Sequence, residues 1–215
     1  MEIFESLTLG IVQGVSEFLP VSSSAHLVII PWLFAFTDPG LAFDVALHIG
    51  TLFAVLAFFW RDWVDILEIA SLKVKKIPNK GPGIIKNVET KYPKKMVIFI
   101  LIATLPGVFF GYFFESYAEN AFRNPLLIAS NLSVVGLILF LVDRRYNHQR
   151  NLKNINVADA FIIGLSQAFA IIPGVSRSGA TITAGLWRGF SRVEAAKFSF
   201  LISTPIIFGA AVKET

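Results

Sequence analysis

Pro173-Gly174-Val175-Ser176-Arg177-Ser178-Gly179-Ala180-Thr181-Ile182-Thr183 sets one arginine, several hydroxyls and two glycines inside uncharged sequence; neither Ala168–Pro173 before it nor Ala180–Trp187 after it holds a charge. An arginine in a hydrocarbon layer costs at least about 2.5–3.5 kcal/mol and normally has an anionic partner. Pro173 and Gly174 break a helix, and Ser176 or Ser178 can cap the next one. A helix N-terminus at membrane depth with Arg177 beside it describes an anion site. The competing reading is a kinked span with one snorkelling arginine. A counterpart of the stretch near the N-terminus favours the site.

The composition makes a membrane environment the starting point. The 215 residues are 54% hydrophobic and 16% charged, with 21 Phe, and the mean hydropathy is +0.65. A soluble domain would carry nearer a quarter charged residues. With no Cys, disulfides, thiolate catalysis and thiolate metal sites are excluded. No nucleic-acid partner is expected. Glu2 and Glu5 stand where a basic leader would be, so the first segment is expected to be retained as structure.

Working outward, Ile3–Leu19 is apolar but carries Glu5, Gln13 and Glu17 and stops at Pro20; Val21–Phe36 follows, opened by Ser22, Ser23 and Ser24. Each piece falls short of the roughly 20 residues a span needs. The pair predicts a re-entrant hairpin, tolerated at membrane depth only where it is buried in protein or lines a wet cavity. Phe43–Trp60 is an expected span, and Arg61–Lys76 an interfacial helix after it. Val97–Phe114 and Pro125–Val142 are clear spans separated by a loop holding Glu115, Glu119 and Arg123. Val157–Ile172 and Ser176–Trp187 form a second short pair around Pro173, and Val193–Val212 is a last span.

Charge and repetition organise these segments. Lys73–Lys95 contains eight Lys, Arg144–Lys153 four Lys or Arg, and Arg188, Arg192 and Lys197 cluster again. These loops are predicted to be cytoplasmic and the Glu115–Arg123 loop external. Gly10-x-x-Gln13 followed by Pro20-Val21-Ser22-Ser23-Ser24 is echoed by Gly164-x-x-Gln167 followed by Pro173-Gly174-Val175-Ser176-Arg177-Ser178. Three spans lie between the copies, so the second copy must be inverted, with both broken tips near the midplane. The expectation is an all-α polytopic membrane protein in one domain, 1–215. It is an inverted-topology repeat with two re-entrant hairpins: repeat one at about 1–143, a basic loop at 144–156, and an incomplete repeat two at about 157–215.

The polar residues at the two breaks suit one chemistry. Gln13 and Glu17 share a helix face, and Ser22 and Ser23 lie four and three residues before His26, so both hydroxyls can sit beside the imidazole. In the second hairpin Arg177 and Thr181 share a face, with Ser176 and Ser178 at the helix start. Together they offer a base or metal ligand, a nucleophile with a neighbouring imidazole, a fixed cation and two positive helix ends. That set suits phosphate binding and phosphoryl transfer. Each residue also has a structural role open to it: serines bridging helix carbonyls, a histidine satisfied in the core, a glutamate relaying protons in a transporter. Their recurrence at two related breaks favours a site. Asp44, His48 and Thr51 either line its entrance or cap the next span.

At these residues the chain resembles the undecaprenyl-diphosphate phosphatase family of the bacitracin-resistance type. The family's first motif corresponds to Gln13–Glu17 with Phe18–Ser23 and His26, and its second to Pro173–Thr181; the runs Phe43–Thr51 and Phe198–Phe200 with Pro205 are also similar. The resemblance implies a multi-pass phosphatase of the plasma membrane, with its site open to the outer face. It would remove the terminal phosphate of a long polyprenyl diphosphate and so recycle the lipid carrier of cell-wall or glycan synthesis. It implies a divalent cation, Mg or Ca. Carried over by position, Glu17 would bind metal or act as base, Ser23 or His26 would be nucleophile or activator, and Arg177 would clamp the phosphates. Gln13, Ser22, Gly174, Ser176, Ser178 and Thr181 would complete the substrate site. Gln13 stands where many members have glutamate, and the family usually continues through two further spans. A less stable isolated monomer, or a homodimer covering the exposed surface, is therefore expected. The alternatives are a polyprenyl-phosphate carrier that does not hydrolyse its cargo and a lipid-binding remnant without turnover.

Overall fold

A computed structural model describes residues 2–37, 39–71, 90–121, 124–145 and 149–214. Among these the chain is helical: α1 (Ile3–Ser16), α2 (Ser23–Phe34), α3 (Leu41–Phe58), α4 (Trp60–Ala70), α5 (Met96–Ala121), α6 (Pro125–Arg145), α7 (Val157–Ala168), α8 (Arg177–Trp187) and α9 (Arg192–Glu214). Three stretches are long and apolar enough to cross a membrane: Met96–Phe114, Pro125–Arg145 and Arg192–Lys213. A fourth is obtained if α3 and α4, bent by 67° at their junction, count as one span. Their outward faces are greasy, with Phe109, Phe113, Leu137 and Phe140 all at least half exposed.

Most boundaries fall within a few residues of those expected. One segment differs: Glu115–Ala121, predicted as loop, continues α5. No Gly or Pro stands between Phe114 and Ala121 to end the helix, and Glu and Ala are good helix formers. Arg123, residues 72–76 of the expected interfacial helix and most of the basic segment Lys73–Lys95 lie outside the described residues.

Two helix pairs are broken where the sequence is. α1 packs on α2, and α7 on α8. Both pairs are wedged among the longer helices: α1 touches α3, α2 touches α6, α7 runs along α5, and α8 packs on α6 and α9. The closeness of α7 to α5 depends on Gly164, where an added Cβ would lie 2.4 Å from the Ala103 carbonyl oxygen. Gly174 makes the second break possible. Its φ of +90° is costly for other residues, and a Cβ there would meet the Ile128 carbonyl oxygen of α6 at 2.4 Å. Asn131 on α6 secures the same turn by donating to the Pro173 carbonyl at 2.9 Å. Beneath the breaks Phe99, Ala103, Ile163, Ile182, Phe198 and Ile202 form a continuous apolar core.

The basic end of the bundle is fixed by one buried carboxylate. Asp159 is fully buried. It pairs with Arg150, 2.6 Å from Nη2, and with Arg188, 2.7 Å from Nε, while its backbone N–H is capped by Asn156. Arg150 also donates to the Arg188 carbonyl. The start of α7 and the end of α8 are thereby clamped together, which sets where α8 begins and hence where Arg177 points. A second carboxylate, Asp62 on α4, accepts from Lys91 and the Tyr92 hydroxyl. Burial, with Asp62 beside it, pushes the Tyr92 phenol above its ordinary pKa.

Candidate active site

The chain turns at residues 17–21 after α1 and at 172–176 before α8. The two turns meet. Ser178 Oγ donates to the Leu19 carbonyl at 3.3 Å, and Gly179 lies over Pro20, whose carbonyl oxygen would stand 3.5 Å from an added Cβ. Each following helix is capped in the same way. Ser22 Oγ accepts from the Ala25 N–H at 3.3 Å, and Ser176 Oγ accepts from the Gly179 N–H at 3.0 Å. The cap serine then approaches the serine two residues on, Ser22 to Ser24 and Ser176 to Ser178, at 3.3 Å in both cases. The positive ends of α2 and α8 thus open at one place.

At that place stands Glu17, 5% exposed. Its Oε1 accepts from Arg177 Nη2. Its Oε2 accepts from Ser23 Oγ at 2.5 Å and from Gln13 Nε2 at 3.2 Å, and His48 Nε2 lies 3.6 Å away. Burying a carboxylate is tolerable only with such compensation: one full charge and two hydrogen bonds. Two buried polar atoms here have no protein partner among the described residues, Arg177 Nη1 and Gln13 Oε1. Because the Gln13 amide nitrogen is held by Glu17, its oxygen is turned elsewhere. Unsatisfied buried groups of this kind are rare and point to something else that binds there.

Of the residues picked out in the sequence, Gln13, Glu17, Ser23 and Arg177 come together directly. Ser22, Ser176 and Ser178 shape the two helix starts. Thr181 lies one turn below Arg177 and donates to its carbonyl at 2.9 Å. Gly174 is placed against α6. His26 is oriented by the Ser22 carbonyl, 2.8 Å from Nδ1, which leaves Nε2 as its free nitrogen. The imidazole facing Glu17 is instead that of His48, whose Nδ1 meets the Asp44 carbonyl at 2.7 Å. Thr51 donates to the His48 carbonyl. Two contributors were not singled out for this role. Asn131 is the one amide in its span, between Ser130 and Ser133, and Ser199 on α9 pairs with Thr181 at 2.7 Å. Only a polar side chain in an apolar run hinted at either.

Among the described residues no three His, Cys, Asp or Glu side chains cluster as a ready-made metal cage. The donors present are one carboxylate, the free Gln13 amide oxygen and a hydroxyl. Such a set fits a hard cation that takes its remaining oxygens from water and from a phosphate ligand.

Comparison with known proteins gives the family. The bacitracin resistance protein BacA family matches residues 6–215. The chain belongs to this family. An undecaprenyl-diphosphatase from Desulforudis audaxviator is 50% identical over 214 residues, covering all of this chain and 76% of the relative. One from Moorella thermoacetica is 49% identical over 212 residues, covering 99% of this chain and 76% of the relative. One from Pelotomaculum thermopropionicum is 48% identical over 212 residues. The chain spans about three quarters of the length of these relatives. Membership of the BacA family and several apolar helices together make this an integral membrane protein.

Proposed function

We propose that this BacA-family chain hydrolyses undecaprenyl diphosphate, or a similar polyprenyl diphosphate, to the monophosphate and inorganic phosphate. The observation that carries the reading is Glu17 held between Ser23 and Arg177, side chains from two breaks far apart in the chain that meet on one buried carboxylate. The Arg177 guanidinium, with Nη1 unspent, and the starts of α2 and α8 are positioned to hold the terminal phosphate. Ser23 Oγ attacks phosphorus while its proton passes to Glu17 Oε2. The bond to the bridging oxygen breaks, and polyprenyl phosphate leaves with the proton from Glu17, which is again a carboxylate. Water, deprotonated by Glu17, then attacks the phosphoserine, inorganic phosphate departs, and the Ser23 oxygen recovers a proton. Arg177 stabilises the charge that gathers on the phosphoryl oxygens in both steps. Ser23 takes the nucleophile's role because it is the hydroxyl already hydrogen-bonded to the base, whereas His26 is turned to the Ser22 carbonyl. His48 supports the charge on Glu17.

A Mg or Ca ion would be held by Glu17 and Gln13 Oε1 together with phosphate oxygens, and would neutralise part of the diphosphate charge. The two helix pairs read as inverted re-entrant hairpins. Arg150, Arg188 and Arg192 lie at the far end of α7 and α8 from the breaks, and the positive-inside preference puts that end in the cytoplasm. The site then opens outward. The Ser23–Glu17 pair favours hydrolysis over carriage of an intact lipid, which has no use for an activated hydroxyl.

The decisive measurement is inorganic phosphate release from undecaprenyl diphosphate by purified protein. Release is expected, with loss in chelator and recovery on adding Mg or Ca. Transfer of lipid phosphate between leaflets without release would overturn the enzymatic reading.

A further inference from the structure

A diphosphate held at Arg177 leaves a long hydrocarbon to be accommodated, and two apolar recesses adjoin the site. One, of about 290 Å³, starts a turn beyond His48 and is lined by Leu52, Leu56, Trp63 and Thr204 among others. The other, of about 450 Å³, lies between α6 and the second helix pair. Its walls include Ile172 and Val175 at the break itself, Ala180, Ala184 and Trp187 on α8, and Ile138 on α6.

We infer that this second groove is the binding site for the proximal isoprenoid segment of the substrate's lipid chain. The inference rests on the phosphatase reading given above. Continuity is the first argument. Ile172 and Val175 flank Gly174, and Val175 immediately precedes Ser176 and Arg177, so a chain leaving the phosphate enters apolar surroundings at once. The second is chemistry. The smaller recess holds the Trp63 indole N–H and the Thr204 hydroxyl, both buried with no protein partner among the described residues. Hydrocarbon there would leave both groups, already shut from solvent, without the partner they lack. In the larger groove the Ser166 and Thr183 hydroxyls are satisfied by the Ile163 and Gly179 carbonyls. The third is shape. α8 presents Ala180 and Ala184 toward α6, and these short side chains leave the space that larger residues would fill. The groove follows α8 from Ala180 to Trp187, about 10 Å at 1.5 Å per residue, so only the first few isoprene units are gripped and the rest of the chain lies in bilayer. Bilayer lipid is as apolar as the groove, so the branched chain gains affinity there from close van der Waals packing and not from leaving water.

Ala184→Phe on α8 and Ile138→Trp on α6 fill the groove from opposite walls, and neither residue touches Glu17, Ser23 or Arg177. The assay compares phosphate release from undecaprenyl diphosphate and from dimethylallyl diphosphate, which keeps the headgroup but whose single isoprene unit is too short to reach Ala184 or Ile138. Each variant is expected to lower kcat/KM about tenfold on the long substrate, a loss of one order in apparent affinity, and to stay within about twofold on the short one, with the melting temperature held. Unchanged turnover of the long substrate would overturn the inference, and so would equal losses on both. A polyprenyl phosphate carrying a photoreactive group on its first isoprene units supplies a readout independent of catalysis. It is expected to label α6 and α8 in the wild type and to lose that labelling in both variants. Labelling concentrated on α3 and α9 would overturn the groove even if phosphate release had failed and taken the enzymatic reading with it.

Discussion

The two broken helix pairs share a scaffold and differ in chemistry. Positions 154 residues apart correspond: Gly10 with Gly164, Gln13 with Gln167, Val21 with Val175, Ser22 with Ser176 and Ser24 with Ser178. The cap hydrogen bonds and the serine–serine contacts repeat almost distance for distance. At the first helical position, however, one pair has Ser23 and the other Arg177. Both reach the same carboxylate, which the first pair supplies as Glu17, while the corresponding position in the second is the apolar Ile171. The glutamines diverge as well. Gln13 turns to Glu17, whereas Gln167 faces the Ala103 carbonyl on α5 at 3.4 Å. What the pairs have in common builds two helix starts, and under the mechanism proposed above what they do not share would divide one reaction between them: nucleophile and base from the first, phosphate clamp from the second.

The sharpest test of that division is at the two first helical positions. Ser23→Ala, which removes the nucleophile, is expected to cut phosphate release by about 10⁶-fold, and Arg177→Ala, which removes a charge-stabilising donor, by about 10³-fold. Circular dichroism should show both variants folded. The double variant is expected to be scarcely worse than Ser23→Ala alone, because the two act as one unit; additive losses would break the comparison. Next comes packing. Gly164→Ala would drive a methyl into the α5 backbone and is expected to cost about 1–3 kcal/mol in reversible unfolding. At Gly10 the nearest atom to an added Cβ is Leu47 Cδ2 at 3.8 Å, so Gly10→Ala should stay within about 0.5 kcal/mol. The caps fall between these two. Ser22→Ala and Ser176→Ala are expected to cost about 1 kcal/mol each. Nearly equal shifts in melting temperature would confirm that the repeat is structural at these positions, and a large inequality would show that one cap has a further role.

Much of this was legible in the chain. Runs of apolar residues of spanning length located α5, α6 and α9, because hydrocarbon thickness dictates length. Pro20 and the Pro173-Gly174 pair located the breaks, because each is followed within three residues by a serine that caps the next helix, whereas Pro31, Pro106 and Pro205, with no such serine, lie inside helices. The serine-rich starts and the isolated Arg177 located the site. His48 was flagged only as an entrance or cap residue, because its distance to Glu17 depends on how α3 leans on α1, which no spacing within either helix encodes. His26 sits one helical turn from Ser22 and within reach of Ser23, yet its ring is satisfied locally by a backbone carbonyl that sequence patterns cannot weigh against a side chain. Ser199 and Asn131 needed the packing of α9 and α6 on the second break.

By itself, then, the sequence determined a helical membrane protein with two related breaks and a polar residue set suited to phosphate, since composition, helix-breaking residues and helical periodicity are properties of neighbours along the chain. Only the tertiary structure decided that Glu17 lies between Ser23 and Arg177, that His48 and not His26 faces that carboxylate, and that Gln167 serves packing. Such pairings depend on which helices pack together and at what angle, and that is settled by close approaches such as Gly164 on Ala103 and Gly174 on Ile128, contacts between residues remote from one another in the chain.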